Sequence, residues 1–434
     1  MKTLMVRGIA LLMTLLLSAT VALAGERSYT LEDAYEAALG TNESMKIVEE
    51  DVVQSDSRVD QAGTYRYPRL YGQAAYTKYN ETLPPGGGPV IFQPDEQFRA
   101  GLIMTQPLYT GGRTLAALRT AEQMREASRS GLSVAKQDIL IKVSEAYYGV
   151  LKAQKAIDIS QRSLERMERH QQVTEREAAT RKTKANASAL LRAKSLVSQA
   201  RISLVRSRDG LMIARDKLNL LTKLPVDAVF LEPQTLYPPE EDLARLQESA
   251  LRNRDDYAGA KLNRSIAAEN VTIVRGGHYP QVYAEAGLTY LESQPVTAMD
   301  ATSYYGGLRL TIPLFEGGLM KAEVADAKSK QRQADLSADF LRTSIASEVH
   351  EAFVNLQTIG SVIDNAKLQV EYARDNFDVV EGLFAEGLAP SLSIIDAEQA
   401  LTFAERELVN ATYDRQVAIL RLKKSIGMMG KEKQ

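Results

Sequence analysis

Few groups in this chain stand at spacings that chemistry could use. Ser133-Val134-Ala135-Lys136 has the S-x-x-K arrangement of a serine nucleophile beside a lysine, as in penicillin-binding enzymes. It lies inside a long helical pattern with no companion motif, and it reads as an ordinary helix surface. The histidines, His170, His278 and His350, fall in different elements without metal-ligand spacing, and there is no cysteine to join them. Gly86-Gly87-Gly88 lacks the Lys-Ser/Thr that follows a phosphate-cradling loop. It sits between strand-like runs and reads as an external turn. No constellation supports catalysis, a resident metal or a cofactor, so the expectation is a protein that is not an enzyme. The basic run Arg181-Lys182-Thr183-Lys184 is either a solvated tip or a docking surface. With 53 basic against 55 acidic residues the chain has a net charge of −2, which argues against a nucleic-acid partner.

The first residues read as an address. Lys2 and Arg7 precede an apolar core from Ile9 to Leu17 and an A-x-A site at Ala22-Leu23-Ala24. A cleaved export signal is expected over residues 1–24, with the mature chain starting at Gly25. The apolar core is too short for a transmembrane helix, which needs about 20 residues. With no cysteine, neither thiol lipidation nor a disulfide is available. No later apolar run reaches the length of a spanning helix, so any membrane crossing must use strands.

The elements that would position these groups occur twice. "PLYTGGRTLAALRTAE" (Pro107 to Glu122) returns as "PLFEGGLMKAEVADAK" (Pro313 to Lys328), offset by 206 residues. "SEAYY" at Ser144 matches "HEAFV" at His350 at the same offset. Upstream, "YPRLYGQAAYTKY" at Tyr67 matches "YPQVYAEAGLTYL" at Tyr279, and "LEDAYEAAL" at Leu31 matches "LARLQESAL" at Leu243, both offset by 212. The six-residue difference falls at the insertion "LPPGGGP". Repeat one is assigned to residues 25–224, a proline-rich linker to 225–240 and repeat two to 241–434.

Each repeat opens with a helical stretch (Leu31 to Gln61, Leu243 to Val274), continues through two strand-like runs to a Gly-Gly junction, and ends in a long helical hairpin. From Ile345 through Val349, Ala352 and Leu356 to Phe384, apolar or small residues step alternately by four and three, the seam of a coiled coil. The same seam runs from Ile139 to Met167, and shorter partner helices repeat it from Leu190 to Leu218 and from Ile394 to Leu422. Strands are expected at 69–82, 96–108, 281–292 and 302–314. Their period-two alternation sets an apolar face against a polar one carrying Arg99, Glu285 and Arg309, although the first run is ambiguous. A half-buried sheet in a soluble domain would alternate in the same way. If the sheet is membrane-borne, four strands cannot close a barrel, since the smallest bacterial ones have about eight.

The doubled "YP" starts, the "PLYTGGR" and "PLFEGGL" junctions, the long helices and the closing "AILRLKKSIG" (Ala418 to Gly427) resemble the TolC family of outer-membrane efflux proteins. The resemblance implies a mixed α and β fold, with a transmembrane β-barrel shared by three protomers, four strands each. This barrel would continue into a long antiparallel coiled-coil α-helical barrel built from two tandem structural repeats. It implies a passive exit duct for efflux in the outer membrane of a Gram-negative bacterium, extending into the periplasm. The partners would be two further copies of the chain, a periplasmic adaptor (membrane-fusion) protein, an inner-membrane transporter and outer-membrane lipid. Gly111, Gly112, Gly317 and Gly318 would turn strand into helix. The hairpin tips, with Arg181, Lys182 and Lys184 on one and Gly387, Leu388, Ala389, Pro390 and Ser391 on the other, would meet the adaptor. Aligning "EGLAPSLSIIDAEQAL" with the family's paired gate aspartates places Ser393 at the first position and Asp396 at the second, leaving one acidic ring. The alternatives are the outer-membrane component of type I protein secretion and a periplasmic coiled-coil scaffold or adaptor.

Overall fold

The computed structural model describes residues 28–80, 94–180, 183–239, 241–294 and 300–431. The expected signal at 1–24, the Gly86 to Gly88 turn, Arg181 and Lys182 lie outside the described residues. In chain order the elements are β1 (Ser28–Tyr29), α1 (Leu31–Thr41), α2 (Glu43–Thr64), β2 (Arg69–Lys78), β3 (Glu96–Tyr109), α3 (Arg113–Thr180) and α4 (Lys184–Thr222). Beyond them come β4 (Val229–Phe230), α5 (Leu243–Asn253), α6 (Asp255–Gly276), β5 (Gln281–Gln294), β6 (Ala301–Thr311), α7 (Leu319–Ala385) and α8 (Ser391–Ser425). They form two compact units. One contains Ile47–Val134 and Asp255–Ser344; the other contains Ala135–Arg254, Ile345 onward and the residues up to Lys46.

The first of these units holds a sheet of order β2-β3-β5-β6, antiparallel throughout. Pairing settles the face of every residue, because directly opposed residues share a side. Arg69 pairs with Thr105, Thr105 with Glu285, and Tyr283 with Arg309, so the ambiguous first run points Arg69, Tyr71 and Gln73 to the polar side. The other side carries Leu70, Ala74, Ala100, Leu102, Met104, Ala286, Leu288, Leu308 and Leu310, and its charges, Lys78, Glu96 and Glu292, gather at one end of the strands. Tyr76, Phe98 and Tyr290 lie beside that end, with Phe98 and Tyr290 in edge contact at 6.4 Å between ring centroids. Pro107 has no N–H to give, and the β3–β5 register shifts between Pro107 and Tyr109. β6 stops at Thr311 instead of 314, ahead of Pro313. Both edge strands, β2 and β6, leave one side unpaired within the chain.

In the helical unit the four-three seams are the buried stripes: Ile139 to Met167 on α3, Leu190 to Leu218 on α4, Ile345 to Phe384 on α7 and Ile394 to Leu422 on α8 are buried or half-buried at every seam position. Leu164, Met167, Val197, Leu204, Phe377, Phe384, Ile394 and Leu401 join all four helices in one apolar cluster. Alanine at Ala200, Ala397 and Ala404 lets the backbones approach closely. Burial of a leucine-sized side chain contributes about 1.5–3 kcal/mol.

The opening helical stretches are not single helices. Each breaks after eleven residues, at Asn42 and at Arg254, whose backbones are extended. Asn42 receives the Ser44 N–H on its Oδ1 at 2.9 Å and donates its Nδ2 to the Leu221 carbonyl at 3.2 Å. Capping and an anchoring bond thus replace the lost helical bonds. Arg254 reaches Glu348 at 2.6 Å. Near the linker, β1 and β4 pair in parallel, and the buried Tyr147 hydroxyl lies 2.9 Å from the Tyr29 carbonyl and 2.5 Å from the Leu231 carbonyl. Burial pushes the Tyr147 phenol above its ordinary value and holds it protonated as a donor.

Candidate functional site

The polar face of the sheet gathers Arg99, Glu285 and Arg309. Arg309 and Glu285 form an ion pair, and the Arg309 guanidinium lies 5.8 Å from the centroid of Tyr283. Arg99 stands farther along the same face, opposite Ala75 and Leu291. With Arg69 added, the face carries three arginines against one glutamate, a net positive surface.

Between β3 and α3 stand Gly111 (φ 65°) and Gly112 (φ 83°); between β6 and α7 stand Gly317 (φ 62°) and Gly318 (φ 89°). Consecutive left-handed residues cost a side-chain-bearing residue about 1–2 kcal/mol each. Gly111 has a second constraint: a Cβ there would lie 2.3 Å from the Gly276 carbonyl oxygen. No such contact crowds Gly317 or Gly318.

The hairpin tips differ in construction. Thr183 caps α4 by accepting the Asn186 N–H at 3.2 Å, and Lys184 is exposed. At the other tip α7 ends through Gly387 (φ 75°), with the Leu388 and Ala389 N–H groups both returning to the Leu383 carbonyl. Pro390 opens α8. Leu388 is 71% exposed, an uncovered apolar group at a tip, whereas Ala389 packs on the four-helix cluster. Ser391 is turned inward, its Oγ 2.9 Å from Nε2 of the buried His170, whose ring lies 4.8 Å from that of Phe384. Burial lowers the His170 pKa from its usual 6.5. Ser393 is half-buried, with its N–H donating to the Pro390 carbonyl at 3.0 Å. Asp396 is exposed, on the side of α8 away from Ile394 and Ala397.

Beside the seam lies a cluster that sequence reasoning missed. Glu398 and Glu405, spaced by one heptad on α8, are both buried, as is Arg166 of α3. Glu398 Oε1 accepts from Ser163 at 2.6 Å, Arg166 at 3.2 Å and Thr402 at 2.6 Å. Glu405 Oε2 lies 3.8 Å from Arg166, and Arg374 of α7 approaches its Oε1 at 3.6 Å. Arg406 donates to Ser160 of α3 and Ser203 of α4 at 3.0 and 2.8 Å. The signal was present in the heptad-spaced glutamates flanking Ala397 and Ala404, but their partners on α3, Ser163 and Arg166, lie more than two hundred residues away in sequence. Ser133, the would-be nucleophile, donates to Asp255 at 2.5 Å, a tie between α3 and α6. Among the described residues no group of three His, Cys, Asp or Glu stands ready to hold a metal, and no helix is long and apolar enough to cross a membrane.

The chain matches the family model described as outer membrane efflux protein over residues 34–222 and 246–428. It is 20% identical to the probable outer membrane lipoprotein SilC of Salmonella typhimurium over 90% of this chain and 84% of that one. It is 22% identical to the outer membrane protein TolC of Vibrio cholerae over 77% of each. Among solved structures, the Campylobacter jejuni CmeC outer membrane channel superposes with a TM-score of 0.81 at 14% identity, over 93% of this chain and 87% of that one.

The buried cluster and its neighbouring histidine give two expected outcomes. Arg166→Ala leaves Glu398 as a buried charge without a cation, while Glu405 keeps Arg162 and Arg374, and should lower unfolding stability by about 3–5 kcal/mol, read by denaturant titration of the detergent-solubilised protein. His170 is held neutral in the fold, so below about pH 6.5 the unfolded chain takes up this proton more readily than the folded one. Its contribution to stability is present above that pH and is lost as pH falls toward the lowered folded value. His170→Gln should therefore shrink the drop in thermal midpoint between neutral and mildly acidic buffer.

Proposed function

Because this chain belongs to the outer membrane efflux protein family, we propose that three copies form one passive exit duct. The chain itself is an outer-membrane efflux protein. The observation that carries the trimer is the sheet: four strands, one face apolar except at one end, one face polar, and both edges open. In hydrocarbon no edge N–H or carbonyl can be left to water, so β6 of one copy pairs with β2 of the next, and closure with three copies gives a barrel of about twelve strands. The apolar side meets lipid, and Arg99, Glu285 and Arg309 line a wet lumen. The Gly111-Gly112 and Gly317-Gly318 junctions pass each hairpin into the helical wall. The energy and the choice of cargo come from an inner-membrane transporter, linked through a periplasmic adaptor. That adaptor docks on the tips at Lys184, Arg181, Lys182 and the Gly387 to Pro390 turn, where Leu388 offers an apolar contact; Ser391, engaged with His170, contributes from within. The scaffold alternative drawn from the sequence does not fit an outer-membrane location.

At the tip end, three copies of Asp396 form one acidic ring, and Ser393 adds hydroxyls rather than a second ring of charge. Like charges brought together attract cations. Mass measurement of the detergent-solubilised protein should give three chains; a monomer overturns the shared barrel. In planar bilayers Asp396→Asn should reduce cation preference and relieve block by divalent cations. Identical conductance, selectivity and block would place the constriction elsewhere.

A further inference from the structure

We propose that a cavity of about 380 Å³, where β2, β3 and β5 meet α3 and α6, is a binding site for a small aromatic carboxylate. Its walls include Tyr65, Arg69, Thr110, Arg113, Thr114 and Tyr283. The volume falls in the range of about 300–1,000 Å³ that small-molecule sites occupy.

Charge is the first argument. Among the described residues neither Arg69 nor Arg113 is paired with a carboxylate, while Glu285 of β5 is engaged with Arg309 and Glu269 of α6 with Arg119 at 3.6 Å. Arg69 lies 4.3 Å from the Tyr65 ring centroid, a contact that orients the guanidinium without neutralising it. Arg113 is the first residue of α3, and no acid occupies that first turn. The positive end of a helix disfavours a cation, so local electrostatics alone would not place an arginine there.

The second argument comes from inside the chain. Arg69 corresponds to Gln281 in the second repeat and Arg113 to Leu319, so the equivalent junction has neither charge. The cavity at that junction is lined by Leu314, Phe315 and Met320 together with His278, Glu316, Lys321 and Lys328, and its lysines stand beside an acid of the same wall. The fold therefore builds a strand–helix junction without two arginines, and their presence in the first copy calls for a ligand. Guanidinium groups match a carboxylate fork, while the Tyr65 and Tyr283 rings give an aromatic body a surface to stack on. Thr110 and Thr114, whose hydroxyls are 2.9 Å apart, add polar groups at the rim. Arg69 and Tyr283 project from the polar face of the sheet, so the ligand arrives through water and is not a lipid headgroup.

The test is calorimetric titration of the full-length detergent-solubilised protein with 1-naphthoate, beside its neutral isostere 1-naphthalenemethanol. It requires no trimer and no conduction, so its outcome is separable from that of the duct. Saturable naphthoate binding is expected, absent for the alcohol beyond what empty micelles take up. Arg69→Gln or Arg113→Gln should each weaken it by about tenfold, the loss of one charge-assisted contact. Arg113→Leu installs the residue that already opens α7, and it keeps the test valid if another variant fails to fold. Equal uptake of the alcohol, or naphthoate affinity unchanged in Arg113→Leu and Arg69→Gln, overturns the site. Displacement of naphthoate by inorganic phosphate as readily as by benzoate overturns the aromatic carboxylate in favour of a simple anion.

Discussion

A bilayer core offers no water to backbone amides, so every N–H and carbonyl inside it must find a partner in protein. Four antiparallel strands satisfy this between β2 and β6 but leave two outer rows unpaired, and among the described residues no strand covers them. In the proposed shared barrel this requirement accounts for the two hairpins pairing with each other through β3 and β5. In that proposed barrel it also accounts for the confinement of charge on the apolar side to Lys78, Glu96 and Glu292 at one end of the strands. The polar side is free of this restriction and carries its arginines along the length of the sheet.

A strand fixed in this way must still hand its chain to a helix. The handover uses two consecutive left-handed residues, which only glycine adopts at little cost, and it happens once per repeat. Gly111 is the more constrained copy, since the Gly276 carbonyl occupies the space a side chain would need. The doubled "GG" in the sequence is thus the visible trace of a backbone conformation. Each pair leads into a helix of 68 or 67 residues, far longer than any single tertiary contact could hold straight. The continuous seam of small and apolar residues supplies that support.

Seam, strands and junctions were legible because each imposes a period or a residue type on the sequence. The breaks at Asn42 and Arg254 were not, because one extended residue leaves the apolar spacing almost unchanged; only the cap bonds of Asn42 reveal it. The first strand was ambiguous because small residues and tyrosines occur on both its sides, and hydrogen-bond register against β3 decided the matter. Glu398 and Glu405 stand out only in the tertiary packing, which sets Arg166 beside them. Asp396 and the tips belong to a different class: the roles proposed for them depend on neighbouring copies and on a partner, which no pattern within one chain encodes.

A chain made of two similar halves faces a choice of pairing that a single repeat does not. Both short helices, α4 and α8, carry the same apolar stepping, so hydrophobic contact alone does not say which belongs beside which long helix. Charge does. In the first hairpin Glu168 of α3 meets Arg201 of α4 at 2.9 Å. At the equivalent positions of the second hairpin the signs are reversed, with Arg374 of α7 facing Glu405 of α8 at 3.6 Å. Exchanging the short helices in register would set Glu168 against Glu405 and Arg374 against Arg201, two like-charge contacts in place of two attractions. Exposed pairs such as Glu168 with Arg201 contribute only about 0–1 kcal/mol to stability. Glu405 is different, because a repulsive neighbour at a buried carboxylate cannot be relieved by solvent. The buried Arg166 then uses the same acidic face to hold α8 on the other flank of α3. The polarity reversal thus lets two helical hairpins of matching apolar stepping fold in one arrangement, with the apolar seam supplying attraction and the charges supplying the choice.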